Sequence, residues 1–268
     1  MENAIKADVK EENKNQKRLN PISLLIFIAY LFIPIILMLI FFIPMKKYAN
    51  EIANIFIKFD YFKNLVKNLS TQKEITILII KELSFFLVNI FTIISLIIML
   101  FLTKKRNDSI SNKKSNISLK NKIIIGCFFG VLMILSTYII SSLYTFIGFD
   151  SASKNTQNII NYLKSEKLML IMILIVAPIG EEIAFKYGLF TFFHEIFKSK
   201  GRFLEIIFPS FISAFIFSII HDGLLLIPIY FFPSFIGCLI YEKTKTLMPC
   251  ILGHFINNFF VVIILMFT

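Results

Sequence analysis

Charged residues are scarce in this sequence, at 17% of its 268 positions, whereas a soluble domain carries about a quarter. Hydrophobic residues make up 57% of the chain and include 32 phenylalanines. They are concentrated in runs of the roughly 20 residues that a helix needs to cross a bilayer. This distribution excludes a soluble globular domain and predicts an all-α, polytopic integral membrane helical bundle.

Cysteine is also scarce, and Cys127, Cys238 and Cys250 all lie in apolar runs. Their number is odd and no two have the spacing of a metal-binding pair, so neither a disulfide framework nor a cysteine zinc site is predicted. We expect buried free thiols. The chain also lacks a His-Glu-x-x-His segment, which excludes the class of zinc hydrolases that carries this motif on a helix.

Acidic residues number 17 against 28 basic residues, which gives a net charge of +11. The basic residues lie between the apolar runs, where lysine and arginine orient the spans and contact anionic headgroups. We therefore expect membrane lipids as partners and no nucleic acid.

Seven apolar spans are predicted, at about 22–43, 83–103, 122–147, 168–193, 203–222, 224–241 and 248–267. Only His221-Asp222-Gly223 separates the fifth from the sixth. Between Ile52 and Leu69, apolar residues recur at helical spacing, which predicts an amphipathic helix on the membrane surface. The alternative is an eighth span within residues 53–80.

Lysine and arginine near the span ends predict the orientation. They are concentrated in residues 1–20 and in the loops after the second, fourth and sixth spans. These are alternate loops, so we expect a cytoplasmic N-terminal tail and an external C-terminus. The first span is too long for a signal-peptide core and has no small-residue cleavage site after it. Frequent Ile, Lys, Asn and Phe are typical of AT-rich bacterial genomes, so the expected location is a bacterial plasma membrane.

Two adjacent carboxylates, Glu181 and Glu182, lie well inside the fourth span, followed by Lys186. A charge at a span centre costs about 2.5–3.5 kcal/mol, so such residues are candidates for function. On a helix, Glu182 and Lys186 face each other, whereas Glu181 points about 100° away. One carboxylate can then be held in an ion pair while the other acts as a base. A purely structural ion pair is the alternative.

Two further pairs each share a helix face at a spacing of four residues: Phe217 with His221, and His254 with Asn258. Packing against Phe217 can fix the His221 imidazole. His254 and Asn258 place two hydrogen-bond donors at one point, which suits stabilisation of an oxyanion. A structural histidine and helix–helix hydrogen bonds are the alternatives. With the acid pair, these groups supply the base, its partner and the oxyanion donors that hydrolysis needs.

The motifs Glu-Glu-x-x-x-Lys, Phe-x-x-x-His and His-x-x-x-Asn, in that order and in separate spans, resemble the CPBP/ABI family, which includes the CAAX prenyl endopeptidases. The resemblance covers about residues 165–265, with Ala177-Pro178 among the matching flanks. It implies a catalytic membrane domain at 161–268, after a tail at 1–20 and an N-terminal transmembrane region of unassigned role at 21–160.

The resemblance implies an intramembrane endopeptidase whose catalytic residues are Glu181, His221, His254 and Asn258. The supporting residues that it implies are Glu182, Lys186 and Phe217. Glu181 would activate water with His221, and His254 would form the oxyanion hole with Asn258. The family usually has arginine where this chain has Lys186, and lysine keeps the charge but loses the bidentate fork.

No cofactor is expected, because the archaeal structural member of the family resembles a metal-free glutamate protease. The family has also been labelled metalloprotease, and Glu181, His221 and His254 have the donor types of a zinc site. The expected substrate is a membrane-associated protein or peptide. Two alternatives stay open: an ion- or proton-coupled transporter, which would show inverted repeats that we do not find, and a catalytically silent immunity or interaction protein.

With seven spans and a cytoplasmic N-terminus, Lys113 is expected in the cytoplasm and Thr268 outside. Single cysteines at these positions, in a background without the native cysteines, can be labelled with a membrane-impermeant reagent in intact and in opened cells. Labelling of position 268 only after the cells are opened would contradict the odd number of spans.

Overall fold

The computed structural model describes residues 21–106, 108, 110, 113, 115–149 and 169–267, and this part of the chain is helical throughout its regular elements. The helices before residue 150 are α1 (Ile22–Lys47), α2 (Ala49–Phe56), α3 (Asp60–Leu65), α4 (Gln72–Thr103) and α5 (Leu119–Phe146). Those after residue 168 are α6 (169–196), α7 (Phe203–Asp222), α8 (Ile227–Thr244) and α9 (Met248–Phe267). The predicted N-terminal tail and Thr268 lie outside the described residues.

Five helices are long and apolar enough to cross a membrane, namely α1, α4, α5, α7 and α9. Their surfaces carry large exposed apolar side chains, such as Ile43, Phe128 and Tyr138 at 69%, 69% and 72% exposure. Contiguous exposure of this kind is unusual in a soluble monomer and fits contact with lipid. The all-helical membrane class is therefore confirmed. The other two predicted spans fall on α6 and α8, which are not among these five helices, so the count of seven spans stays a prediction.

The predicted amphipathic helix between Ile52 and Leu69 is wrong as a single helix, because the structure forms α2 and α3 there. Their apolar residues Ala53 and Phe62 pack with Ile79 of α4, so the helical spacing reflects contact with a neighbouring helix. With eight and six residues, neither helix can cross a bilayer. A capping box between Thr71 and Glu74 starts α4 at residue 72, well before the predicted 83.

Cys238 and Cys250 are buried free thiols, as predicted. The same prediction is wrong for Cys127, which is exposed. An apolar run in a membrane helix has one face toward its neighbours and another outside the bundle, and Cys127 lies on the outer face of α5.

Helices α5 and α9 approach each other closely through glycines. A Cβ atom on Gly130 would lie 2.8 Å from Ile256 Cβ, and one on Gly253 would lie 2.4 Å from Phe129 Cδ1. Small residues allow such close packing between membrane helices. The Phe129 ring also reaches α8, where a Cβ on Gly237 would lie 3.2 Å from its Cζ atom. Close packing at Gly253 thus fixes the height of the neighbouring residue, His254.

Gly253→Ala is expected to lower the free energy of unfolding by about 1–3 kcal/mol, the usual cost of overpacking. The control is Gly180→Ala, where the nearest atom to the new Cβ, in Tyr30, would be 3.7 Å away. Alanine has the higher helix propensity, so this control should be neutral or stabilising. Thermal unfolding in detergent measures both, and equal losses would argue against the close-packing explanation.

Candidate active site

Helix α6 changes between α and π geometry on both sides of the acid pair. The segment Ala177–Glu182 is α-helical, and the π segments Met172–Val176 and Ile183–Phe190 flank it. The other two α segments are Met169–Ile171 and Thr191–Ile196. π segments are rare and occur frequently at functional sites. Here they change the register of α6 at the point where its carboxylates meet the other helices.

Pro178 leaves one carbonyl of α6 without its helical donor. In the first π segment, the Ala177 N–H donates to the carbonyl of Met172, five residues earlier. By the same pattern, the donor for the Ile173 carbonyl would be residue 178, but proline has no N–H. Asn258 Nδ2 of α9 donates to this carbonyl instead, at 3.0 Å. The sequence Ala-Pro before the acid pair therefore explains why an asparagine of α9 docks on α6.

Glu182 is the buried member of the acid pair. Its Oε2 atom lies 2.9 Å from Lys186 Nζ, and both side chains are almost fully buried. Space for the lysine comes from Gly237 of α8, where a Cβ would lie 3.1 Å from Lys186 Cε. The ion pair predicted from the four-residue spacing is therefore present, and it lies in the helical core.

Glu182 also orients His254, a contact that the sequence analysis did not predict. Its Oε1 atom lies 3.1 Å from His254 Nδ1. A carboxylate already paired with Lys186 acts as the acceptor, so His254 Nδ1 carries the proton. The opposite nitrogen, Nε2, lies 3.6 Å from Glu181 Oε2. One carboxylate of the pair thus directs an imidazole toward the other.

His221 is held by its own helix and by two aromatic rings. Its Nδ1 atom is 2.8 Å from the Phe217 carbonyl oxygen, which can only accept, so Nδ1 is the donor. The imidazole packs against the rings of Phe217 and Tyr230, with centroid distances of 4.0 and 4.9 Å. Its Nε2 atom lies 3.5 Å from Glu181 Oε2. The two histidines therefore approach the same carboxylate oxygen.

Glu181 Oε2 has no hydrogen-bond partner among the described residues, although it is buried. At 3.5 and 3.6 Å, the histidine nitrogens are too distant for strong direct hydrogen bonds. If each imidazole is neutral, its proton is on Nδ1, and both Nε2 lone pairs face the carboxylate. Such converging acceptors suit a bound donor such as water.

The four residues predicted as catalytic all line one cavity of about 430 Å³. Its walls are formed by parts of α5, α6, α7, α8 and α9. Supporting residues Glu182, Lys186 and Phe217 line it as well. Asn257 also lines the cavity and donates through Nδ2 to Asn258 Oδ1 at 3.3 Å, although helical geometry places it about 100° away. The N-terminal transmembrane region thus contributes one wall of the cavity through α5.

Two polar groups near the site were not found by the sequence analysis. The Tyr230 hydroxyl donates to Asp222 Oδ2 at 2.6 Å, which supports the ring that packs on His221. Arg106 lies 2.7 Å from Asp108 Oδ2 and donates to the Tyr241 hydroxyl at 3.0 Å. The sequence shows Arg106 only as one of several basic residues after α4. Nothing in its spacing indicates burial.

Glu181, His221 and His254 have the donor types of a zinc site, so the sequence analysis left metal binding open. Throughout the described part of the chain, no group of three or more His, Cys, Asp or Glu residues is arranged to hold a metal ion. We derive no reaction step through a metal.

The described fold and site define an all-helical membrane protein with a buried glutamate–histidine centre. Residues 164–260 match the family model described as type II CAAX prenyl endopeptidase, Rce1-like. That segment belongs to this family, as the three motifs predicted. No solved structure matches the chain.

Two curated relatives agree with this assignment. The putative membrane peptidase YdiL of Bacillus subtilis (strain 168) is 32% identical over 169 residues, which cover 62% of this chain and 66% of that protein. The membrane-embedded CAAX protease MroQ of Staphylococcus aureus (strain USA300) is 31% identical over 137 residues, or 50% and 54%. Each match thus spans less than two thirds of the relative's own length. The Bacillus match is longer than the family segment, so it extends outside residues 164–260.

Asn258→Ala is expected to cost about 1–3 kcal/mol of stability, because it leaves the buried Ile173 carbonyl without a donor. Pro178→Ala restores an N–H at the position that would serve this carbonyl. The loss caused by Asn258→Ala should therefore be smaller in the Pro178→Ala background, as thermal unfolding of the four proteins in detergent would show. Equal losses in both backgrounds would mean that Pro178 does not determine the Asn258 contact.

Proposed function

We propose that this protein is an intramembrane endopeptidase that hydrolyses a peptide bond in a membrane-associated protein or peptide. The observation that carries the proposal is the convergence of two imidazole nitrogens on the unpaired Glu181 Oε2 atom inside one cavity. The family of residues 164–260 and the peptidase names of the two relatives support the same activity.

Glu181 and His221 are the pair that activates water. A water molecule between Glu181 Oε2 and His221 Nε2 donates one hydrogen bond to each. As its oxygen attacks the scissile carbonyl carbon, an O–H bond breaks and the proton passes to this pair. The C–N bond then breaks, and the same proton passes to the departing amine, which gives a carboxylic acid and an amine as products.

His254 and Asn258 stabilise the oxyanion of the tetrahedral intermediate. Because His254 Nδ1 already donates to Glu182, the ring can donate from Nε2 only as an imidazolium. Asn258 uses one Nδ2 proton on Ile173, and its amide retains a second proton for the substrate. Donors fixed in this way need no reorganisation during the reaction.

The reaction proceeds without a metal ion in this proposal, with Glu182 and Lys186 as structural supports. Lys186 occupies the position where the family usually has arginine, and its single ammonium makes the 2.9 Å contact with Glu182. Activity that survives a zinc chelator is the expected result. We place the protein in a bacterial plasma membrane with a cytoplasmic N-terminus.

Glu181→Gln is expected to abolish turnover without loss of folded protein, because the amide cannot accept the proton of the attacking water. Glu182→Gln is the matched comparison. It leaves Lys186 buried without its counter-charge, and breaking a buried pair in this way costs about 3–5 kcal/mol. The measurements are cleavage of an internally quenched apolar peptide in micelles and thermal unfolding of each variant. Full activity of both variants would make the acid pair structural.

The oxyanion assignment is tested with the same peptide. Loss of one such donor typically lowers kcat about 10²–10³-fold, so Asn258→Ala should fall in that range and His254→Ala should be at least as severe. The double variant should lose less than the product of both effects, because residues that act as a unit are not additive. A change confined to KM would favour a helix-packing role.

A further inference from the structure

The Ser234 hydroxyl is a buried polar group without an assigned role. Ser234 lies on α8, is 4% exposed and lines the cavity that contains Glu181. Its Oγ atom has no hydrogen-bond partner among the described residues. Other buried serines bond to backbone carbonyls: Ser218 donates to Ala214 at 2.7 Å and Ser213 to Phe185 at 2.9 Å. Unlike these serines, Ser234 retains an unused donor, on a residue that lines the cavity.

The backbone next to Ser234 also has a hydrogen-bonding group without its helical partner. Pro233 lies inside α8 and has no N–H, so the Ile229 carbonyl loses the donor that a regular helix would supply. Ile229, Tyr230, Pro233 and Ser234 all line the cavity. One turn of α8 thus presents a hydroxyl donor together with a carbonyl that lacks its helical partner.

Ser234 also lies at the height of the reacting groups. One turn earlier in α8, Tyr230 packs against the His221 ring. Three residues later, Gly237 contacts the Lys186 side chain. Ser234 therefore lies between the parts of α8 that touch the water-activating histidine and the buried ion pair.

Helix α5 forms another wall of the cavity. Phe129, Met133, Thr137 and Ser141 recur every four residues and line the cavity, and a helix rises about 18 Å over that distance. The wall is long enough for several residues of an extended chain, which advances about 3.3 Å per residue. Thr137 and Ser141 add hydroxyl groups to its far half.

A peptide that enters this cavity gives up its hydrogen bonds to water, and unpaired backbone groups are costly in a membrane interior. We propose that Ser234 is a substrate-binding residue whose hydroxyl donates a hydrogen bond to a backbone carbonyl of the bound peptide, on a residue adjacent to the scissile bond. This inference rests on the proposed peptidase function. The contact recognises the peptide backbone, so it aligns the substrate without selecting a side chain.

Ser234→Ala is expected to raise KM by about 3–10-fold, the range of a single neutral hydrogen bond, with kcat within about twofold. A contact made equally in the ground state and the transition state changes KM and leaves kcat unchanged. The probe is the internally quenched apolar peptide in micelles. Ser218→Ala is the matched control, because it removes an equally buried hydroxyl that does not line the cavity, and its KM should not change.

A second set of probes identifies the group that Ser234 contacts. In each peptide, one backbone amide outside the scissile bond is replaced by an ester, whose carbonyl is a weaker acceptor. One ester position should weaken binding to the wild type. The same replacement should have no further effect in Ser234→Ala, because the donor is already absent. Equal ester effects in both proteins would overturn the backbone contact.

Binding in the Glu181→Gln background separates this inference from the proposed function. There, fluorescence anisotropy of the same peptide, labelled with the fluorophore but without the quencher, gives Kd without turnover, and Ser234→Ala should weaken binding by the factor seen in KM. Turnover by the Glu181→Gln variant would contradict the proposed mechanism but leave the binding result valid. Unchanged KM and Kd in Ser234→Ala, or a loss confined to kcat, would overturn the role of Ser234.

Discussion

The Glu182 carboxylate is shared between a lysine of its own helix and a histidine of another, and the geometry of the site depends on this sharing. Lys186 compensates the buried charge at 2.9 Å, and His254 receives its orientation from the second oxygen at 3.1 Å. Buried ion pairs contribute little net stability because desolvation opposes them. The benefit here is positional, since the pair fixes which nitrogen of His254 faces Glu181 and joins α6 to α9.

A second connection between the same helices originates in the backbone. The π segment of α6 and the missing N–H of Pro178 leave the Ile173 carbonyl for Asn258. Asn258 is therefore both a proposed oxyanion donor and an anchor of α9. For this reason kinetic and stability measurements are both needed on its variants. The hydrogen bond from Asn258 also explains why the irregular backbone of α6 is tolerated deep in the bundle. Each carbonyl there still requires a donor, and Asn258 supplies one.

The N-terminal transmembrane region, residues 21–160, is part of the site, although its sequence carries no recognisable motif. Helix α5 provides the cavity wall with Thr137 and Ser141, and Gly130 with Gly253 brings it against α9. Arg106, just after the end of α4, donates a hydrogen bond to the hydroxyl of Tyr241 in α8. The functional unit thus extends beyond the region 161–268 in which the catalytic motifs lie.

The sequence by itself determined the membrane class and the pairing of the acidic residues with a lysine. It also determined that each of the two histidines shares a helix face with the residue four positions away. These are local properties, because apolar run length and a spacing of four residues have the same meaning in any helix. Tertiary structure decided the division of α2 from α3 and the burial of Arg106. It also decided the inward position of Asn257 and the unpaired hydroxyl of Ser234. Each of these depends on which helices meet and at what height, and contacts between residues far apart in the chain leave no periodic signal in it.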